Sequence, residues 1–232
     1  KRLLKKFSFS HTYDLQNSNR TNFYRKYLVG SQNWISSKTS LKKRVKKDFI
    51  KYSVLQRFKY QLEDFNIKTE YTLKPDFSWA CANVNQIVNK YFGKNFLLIF
   101  PFCSPQLSHK KWPYYNQLIE IIRSKHSSLE IALVPGPTEI EDSKKFDAVT
   151  ITNKNDPLNI MELAGLIKKS SFIIANDTGP AHMAAHLGKE GIVLFGHHTT
   201  PEKVSIETDK FKAVTVADLK NLSANEVYLA IN

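Results

Sequence analysis

Residues 95–232 alternate between short apolar runs and amphipathic stretches, and this order is the strongest constraint on the fold. The apolar runs predict strands at Phe96–Phe100, Glu130–Val134, Ala148–Ile151, Phe172–Ala175, Ile192–Phe195 and Lys212–Thr215. The amphipathic stretches predict helices at Pro113–Lys125, Glu139–Phe146, Pro157–Lys169, Thr178–Leu187 and Ser223–Ile231. This alternation predicts a parallel sheet with helices on both faces. Such sheets bind ligands beyond the carboxyl ends of their strands, so each strand-to-helix turn is a candidate site.

The first part of the chain has a different pattern. Residues 7–14 alternate as a strand does, and residues 20–29 predict a helix. Residues 41–65 have an apolar stripe at helical spacing and a strongly basic remainder. Helices on membrane surfaces share this pattern, but we favour a helix packed on a domain. A further helix is predicted over 79–92, where it could bridge two domains.

The 232 residues, of which 42% are hydrophobic, are enough for one large or two small domains. We predict a first domain over 1–78, an interdomain helix or linker over 79–94, and a second domain over 95–232. No run of ~18 apolar residues predicts a membrane span, and no stretch has the pattern of a secretory signal. Since the chain begins at Lys1 and not at Met, we expect that the native N-terminus is missing.

The net charge of +13 is concentrated at one end of the chain. Residues 1–60 contain 16 Lys and Arg against 2 Asp and Glu, whereas the remainder contains 18 against 19. A basic face of this kind can bind nucleic acid, anionic lipid or a phosphorylated acceptor, and a solvated basic surface is an equal alternative. Nucleic acid is disfavoured, because residues 1–60 contain no RNA-recognition signature or helix-turn-helix turn. Cys81 and Cys103 have no ligand-like spacing, which predicts reduced thiols in a cytosolic protein.

The sharpest motif is the run FIIANDTGPAHMAAHLG over residues 172–188. Asp177 or Thr178 can cap the helix, Gly179 permits close approach of a ligand, and Pro180 suits the first helical turn. The N–H groups and dipole at this helix start predict an anion site suited to a diphosphate. A plain capped helix is the alternative interpretation.

Two histidine pairs accompany this motif. His182 and His186 are four residues apart, but Met183 stands where the zinc-protease pattern needs Glu, so we predict no metal site. His182 falls near the proposed phosphate, whereas His186 is interpreted as a packed or surface residue. His197 and His198 follow a strand and could line the crevice, although we favour ordinary loop residues.

Two further turns contain candidate ligand-binding residues. The loop FPFCSPQLSHKKWP has hydroxyls at Ser104 and Ser108 and cations at Lys110 and Lys111. A lysine beside a helix start can neutralise a departing phosphate. In LVPGPTEIED, Glu139 begins a predicted helix, where a carboxylate can accept hydrogen bonds from ribose hydroxyls. The alternative for Glu139 is a carboxylate favoured by the helix dipole.

In this order the three motifs resemble glycosyltransferase family 9, the ADP-heptose:lipopolysaccharide heptosyltransferases. The family pattern is a Pro-Gly-Ser loop with Lys-x-Trp-Pro, then Gly-x-Pro-x-Glu, Asp-Thr-Gly-x-x-His-x-x-Ala and Phe-Gly-x-Thr-x-Pro. The corresponding segments here are Pro101–Ser104 with Lys110–Pro113, Gly136–Glu139, Asp177–Ala185 and Phe195–Pro201. Upstream, Tyr13–Thr21 resembles the Asp-Leu-Gln-x-x-x-Arg-Ser/Thr segment of the family's acceptor domain.

The resemblance implies an α/β fold of the GT-B type, with a complete C-terminal Rossmann-like domain and a partial N-terminal one. The C-terminal domain, over 95–232, would bind the nucleotide sugar, and the N-terminal domain, over 1–78, would bind the acceptor. It implies that Lys110 and the N–H groups of Thr178 and Gly179 hold the diphosphate, and that Glu139 holds the ribose. Lys110 and Asp177 would be the catalytic residues. The implied donor-binding residues are Ser104, Lys110, Glu139, Asp177, Thr178, Gly179, Pro180 and His182. The implied acceptor-binding residues are Gln16 and Arg20.

The implied reaction is inverting transfer of a heptose, or a related sugar, from an ADP-sugar to a phosphorylated glycolipid, the lipopolysaccharide core or lipid A acceptor. No metal or cofactor is implied. The enzyme would be a cytoplasmic monomer in peripheral contact with the inner membrane and without a nucleic acid partner. The alternatives are a GT-B transferase with a UDP- or GDP-sugar donor, and a non-catalytic anion-binding module for membranes or nucleic acid.

Two departures from the family pattern affect these expectations. The family begins with a strand, a Gly-rich turn and an acidic general base, and no residues before Tyr13 supply them here. We therefore expect this chain alone to be inactive, or to be completed by residues upstream. Phe102 replaces the usual loop glycine, which weakens Ser104 and Ser108 as phosphate ligands.

Overall fold

The computed structural model describes residues 7–29, 31–37, 49–93 and 95–231. They form two compact units. The first unit comprises Lys1–Pro75 together with Lys203–Ser205, and the second comprises Asp76–Glu202 with Ile206–Asn232.

The first unit contains a small parallel sheet. Strand β1 (Phe9–Tyr13) pairs with β2 (Ser31–Ile35), and α1 (Asn19–Tyr27) connects them. Ser18 caps α1. Its hydroxyl accepts a hydrogen bond from the N–H of Thr21, and the Thr21 hydroxyl accepts one from the N–H of Ser18. The sequence did not predict β2, since its polar composition lacks the apolar alternation of a strand.

A buried glutamine joins the next helix of this unit to β1. Gln61, on α2 (Val54–Glu63), is fully buried, and its amide donates to the carbonyl of Asp14 at 2.6 Å. Its Oε1 accepts from the amide of Asn17 at 3.0 Å. The helical region predicted over 41–65 therefore contains α2, while its residues 41–48 lie outside the described residues.

The second unit is a six-stranded parallel sheet flanked by helices, which confirms the predicted fold class. Its strands are β3 (Phe96–Phe100), β4 (Glu130–Leu133), β5 (Val149–Thr150), β6 (Phe172–Asn176), β7 (Gly191–Phe195) and β8 (Phe211–Thr215). The helices that follow α2 along the chain are α3 (Asn85–Tyr91), α4 (Tyr115–Lys125), α5 (Ile140–Ser143), α6 (Ile160–Lys169), α7 (Gly179–His186), α8 (Pro201–Val204) and α9 (Ala224–Leu229). Every residue of β3 and β7 is buried, as expected for strands covered on both faces.

The order of the strands creates a crevice at one position. The sheet has the order β5-β4-β3-β6-β7-β8. The chain therefore adds β4 and β5 on one side of β3, and then adds β6, β7 and β8 on the other side. The connections after β3 and after β6 therefore diverge, and they leave a crevice beyond the carboxyl ends of these two strands. The turns that contain the sequence motifs lie at this edge of the sheet.

The helix predicted over 79–92 is shorter than the sequence indicates. A 3₁₀ turn and an extended segment come first, and α3 follows them. The extended segment packs on α6, where the N–H of Ala82 donates to the carbonyl of Met161 at 2.9 Å. Gly165 makes this approach possible, because a Cβ there would overlap the carbonyl oxygen of Ala82. Tertiary packing thus overrides a local helical pattern.

Within the described parts of the chain, no helix is both long enough and apolar enough to cross a membrane.

Candidate functional site

A buried asparagine joins the two sides of the crevice. Asn176, the last residue of β6, is fully buried. Its Oδ1 accepts from the N–H of Trp112 and from the hydroxyl of Tyr115, each at 3.2 Å. Its Nδ2 donates to the carbonyl of Pro101 at 2.9 Å. The loop after β3 and the start of α4 are therefore fixed to the end of β6.

The next residue, Asp177, is the centre of a cluster of donors. Lys110 Nζ donates to its Oδ2 at 2.6 Å, and His198 Nε2 lies 2.9 Å from the same oxygen. His182 Nε2 lies 3.3 Å from Oδ1. The Asp177 side chain is only 3% exposed. Three loops contribute residues to this cluster, because Lys110 follows β3, Asp177 follows β6 and His198 follows β7.

The donors determine the charge of Asp177. Burial raises the pKa of its carboxyl, but the hydrogen bonds from His182, Lys110 and His198 outweigh burial and hold the pKa well below its usual range. Asp177 is therefore ionised at neutral pH. Burial lowers the pKa of His198, against the opposing effect of its bond to Asp177, so the neutral ring predominates at pH 7. An ionised carboxylate only accepts, so His198 Nε2 carries the proton of that bond.

The start of α7 has the properties of an anion site. Thr178 is the N-cap in extended conformation, and no side chain caps the helix. Among the described residues, none accepts a hydrogen bond from the N–H of Thr178 or Gly179. Pro180 has no N–H to leave unsatisfied. Lys110 Nζ lies 3.4 Å from the carbonyl oxygen of Asp177, the residue that precedes Thr178. The positive end of the helix and a lysine together suit a diphosphate.

A cavity of about 280 Å³ adjoins this helix start. Its apolar walls are Phe100, Phe102, Val134, Leu158, Leu163 and Pro180, and its polar side chains include Ser104, Glu139 and Thr178. A mostly apolar cavity with a few polar groups is typical of small-molecule sites.

Two of the side chains that line this cavity, those of Glu139 and Phe102, are held by contacts with neighbouring residues. The Oε2 atom of Glu139 accepts from the N–H of Gly136 at 2.8 Å, which holds the carboxylate at the cavity wall. A carboxylate has further lone pairs for a ligand hydroxyl. Phe102, which replaces the family's loop glycine, packs edge-on against Phe146 with ring centroids 5.5 Å apart. Phe102 is therefore part of the apolar wall and leaves less room for a phosphate in this loop.

The structure groups most of the predicted donor-binding residues. Lys110, Asp177 and His182 form the cluster, while Ser104, Glu139, Thr178 and Pro180 line the cavity. Gly179 is the first residue of α7. The predicted acceptor residues Gln16 and Arg20 are exposed in the first unit, between β1 and α1 and in the first turn of α1.

Several other assignments need separate comment. Ser108 is exposed within a 3₁₀ segment, outside the residues that line the cavity. The interpretation of His198 as an ordinary loop residue is wrong, because its side chain is 7% exposed and contacts Asp177. His197 does lie in the exposed loop, with Nδ1 3.2 Å from the carbonyl of Ala217. Among the described residues, no group of three or more His, Cys, Asp or Glu side chains is arranged to hold a metal ion.

The sequence analysis assigned no role to Asn176 and favoured an ordinary loop position for His198, although it noted that His198 could line the crevice. Both stand at or just after the carboxyl ends of apolar strands, which is the position where ligand-binding residues of parallel sheets gather. A polar residue in that position was the available signal. This position locates a residue at the carboxyl ends of the strands, but it does not show which polar side chains point into the crevice.

The fold and the site define an α/β protein of the Rossmann-like type with its site at the switch point of a parallel sheet. The chain belongs to glycosyltransferase family 9 (heptosyltransferase), whose family model matches residues 19–226.

Known relatives agree with this membership. The lipopolysaccharide core heptosyltransferase OpsX of Haemophilus influenzae is 30% identical over 112 residues, which are 46% of this chain and 32% of that protein. The match thus spans about a third of the length of this curated relative.

Solved structures show the fold alone. E. coli heptosyltransferase WaaC with ADP has a TM-score of 0.71 at 17% identity, and the match covers 99% of this chain and 74% of that one. The same enzyme with ADP-2-deoxy-2-fluoro heptose has a TM-score of 0.69 at 16% identity, with the same coverage. The fold class is therefore α/β of the GT-B type.

Proposed function

We propose that this chain binds an ADP-sugar in its second unit and belongs to an enzyme that transfers a heptose, or a related sugar, to a lipopolysaccharide core or lipid A acceptor. The observation that carries the proposal is that Lys110 bonds to Asp177, just before the uncapped start of α7, while Thr178 and Pro180 at that start line an apolar cavity. Family membership supports transfer of a heptose. The ADP and ADP-heptose analogue bound to WaaC support an ADP-sugar as donor.

In this proposal each part of the site has a role. The base and ribose occupy the cavity, with Glu139 accepting from ribose hydroxyls. The diphosphate lies against the N–H groups of Thr178 and Gly179. When the bond to the sugar breaks, negative charge develops on the departing diphosphate, and Lys110 and the helix N-terminus stabilise this charge. We propose that these fixed positive groups serve in place of a metal ion, and that transfer inverts the anomeric centre.

The acceptor side of the proposal involves the first unit. The acceptor carries phosphates, and the basic excess of residues 1–60 complements them. Gln16 and Arg20 are exposed and available to such an acceptor. We propose that the enzyme is a cytoplasmic monomer that contacts the inner membrane peripherally, where glycolipid acceptors are located.

Calorimetry with three nucleotides tests the choice of donor. We expect ADP to bind more tightly than UDP or GDP, because the donor is proposed to be an ADP-sugar. The measurement is the dissociation constant of each nucleoside diphosphate at the same salt concentration. Tighter binding of UDP or GDP would overturn the ADP-sugar assignment, and binding of none of them would overturn the nucleotide site itself.

Lys110→Ala tests the diphosphate site. We expect the affinity for ADP to fall by roughly tenfold or more, because a charged hydrogen bond to phosphate contributes about 1.5–3 kcal/mol. Adenosine, which has no phosphate, should bind as it does to the unaltered chain. Lys111→Ala, which removes the exposed neighbouring lysine, is the matched control and should change neither affinity. An unchanged affinity of Lys110→Ala for ADP would contradict the proposed position of the diphosphate.

Glu139→Ala tests the ribose contact. We expect ADP to bind about three- to tenfold more weakly, the effect of one lost hydrogen bond of about 0.5–1.5 kcal/mol. The affinity for 2′,3′-dideoxy-ADP should not change, because that ligand offers no ribose hydroxyls. Glu141→Ala, at a nearby exposed carboxylate, is the control. An equal loss for both ligands would show that Glu139 acts only by holding the Gly136 turn.

A further inference from the structure

The His198 side chain is nearly buried in the site and has two defined contacts. Its ring stacks on Phe195, with centroids 5.7 Å apart and planes inclined by 11°. Its side chain is 7% exposed, and the polar contact of its ring is the 2.9 Å approach of Nε2 to Asp177 Oδ2. Its second nitrogen, Nδ1, is buried and has no hydrogen-bond partner in the described parts of the chain.

A buried unpartnered nitrogen is unfavourable, so its presence calls for an explanation. A phenylalanine at position 198 could keep the stacking on Phe195 and would leave no buried nitrogen. The bond that only an N–H donor can make here is the one to Asp177. The cost of the unsatisfied Nδ1 is therefore offset by the hydrogen bond from Nε2 to Asp177, and we infer that this bond is the reason for a histidine here.

His198 and Lys110 donate to the same oxygen of Asp177. In the proposed function, Lys110 turns from this oxygen to the diphosphate of the ligand. Without another donor, Oδ2 would then be a buried charged atom with no partner, which is costly. His182 cannot fill this place from its position, because it lies 3.3 Å from Oδ1, and its side chain is 34% exposed.

We propose that His198 is a positioning residue that keeps Asp177 Oδ2 hydrogen-bonded while Lys110 engages the diphosphate. The proposal rests on the proposed nucleotide site and adds to it a residue that acts through Asp177 without touching the ligand. By holding the carboxylate, His198 lowers the cost of releasing Lys110. It therefore increases the affinity for ligands that carry phosphates, and it leaves the affinity for the nucleoside unchanged.

Two substitutions separate the donor from the ring. His198→Gln keeps an N–H donor that can reach Asp177, whereas His198→Phe keeps the aromatic stacking and has no donor. We expect His198→Phe to bind ADP roughly tenfold more weakly, since it loses a hydrogen bond to a charged group. His198→Gln should bind ADP within about twofold of the unaltered chain. Both variants should bind adenosine unchanged, and the matched control His197→Gln should change neither affinity.

Each outcome bears on the proposal. Equal ADP affinity in His198→Phe and the unaltered chain overturns it, and so does an equal loss in the Gln and Phe variants. A loss of adenosine binding that matches the loss of ADP binding indicates a purely structural role and also overturns it. If the unaltered chain binds ADP no better than adenosine, the proposed diphosphate site has failed instead.

Nitrogen NMR of the unaltered chain tests the same point without a substitution. When ADP is added, the His198 Nε2 proton should remain protected from exchange with solvent, because its bond to Asp177 persists. Loss of that protection on ADP binding would overturn the proposal even if neither variant folds.

Discussion

Asp177→Asn is expected to lower the free energy of unfolding at pH 7 by about 3 kcal/mol. The carboxylate is buried and pairs with Lys110, while His182 and His198 also contact it. Removing one partner of a buried charged cluster typically costs about 3–5 kcal/mol, because the groups that remain lose their compensation. The amide keeps one acceptor oxygen, which places the expected loss at the lower end of this range. Urea unfolding at pH 7 measures it.

The same variant has a defined dependence on pH. The pKa of Asp177 is lower in the folded protein than in the unfolded chain, so its ionisation stabilises the fold above the unfolded pKa of about 3.9. This contribution is lost as the pH falls toward the folded value. The difference between the unaltered chain and Asp177→Asn should therefore be greatest above about pH 5 and should shrink below about pH 4.

Asp142→Asn is the matched control for Asp177→Asn. Its carboxylate forms an ion pair with Lys145 on the surface, where both side chains are largely exposed. Exposed pairs contribute about 0–1 kcal/mol, so this variant should unfold almost as the unaltered chain does. If both Asn variants lose the same small amount, Asp177 is not a buried electrostatic centre.

Gly191→Ala is expected to have an effect on stability of similar size. Gly191 begins β7, which lies between β6 and β8 in the interior of the sheet. A Cβ at this position would overlap the carbonyl oxygen of Ile173 and would lie 2.7 Å from the ring of Phe211. Relief requires that neighbouring strands separate, since one obstacle is backbone. We expect a loss of about 3 kcal/mol, which lowers the melting temperature by about 6–12 °C in a chain of this length.

Gly93→Ala is the control for Gly191→Ala. Apart from the chain neighbours of Gly93, no heavy atom of the described residues lies within 4 Å of a Cβ built there, so the added methyl group should change stability by less than about 0.5 kcal/mol. Thermal unfolding of both variants under the same conditions makes the comparison. If Gly191→Ala and Gly93→Ala have the same melting temperature, the sheet tolerates a methyl group at the N-terminal end of β7, and the prediction is wrong.

The sequence predicted the second unit well because its pattern is local and repeated. Each strand of the six-stranded sheet is an apolar run short enough to be distinguished from a helix, and the amphipathic stretches separate them. β2 was missed, because its residues have no apolar alternation and its pairing with β1 is a contact distant in sequence. The early start predicted for α3 has the opposite cause: a helical pattern was present, and packing against Gly165 excluded it.

The positions of some candidate site residues were predictable for the same reason. Lys110, Thr178 and Glu139 stand in turns, where residue type and position relative to a helix start indicate a function. His198 could not be assigned from its neighbours, because its role depends on the adjacency of β6 and β7 and on the inward turn of its ring. Asn176 bonds to residues more than sixty positions away along the chain, and such a contact leaves no local pattern.

The three hydrogen bonds of Asn176 have a consequence for how a ligand is received. They join the turn before α4, the start of α4 and the loop after β3 to the end of β6 in one frame. In the proposed function, a nucleotide would meet groups already held near their final positions, so the protein would lose little conformational entropy on binding. Any adaptation would then be confined to individual side chains, and the proposed ligand would adopt the conformation that the frame dictates.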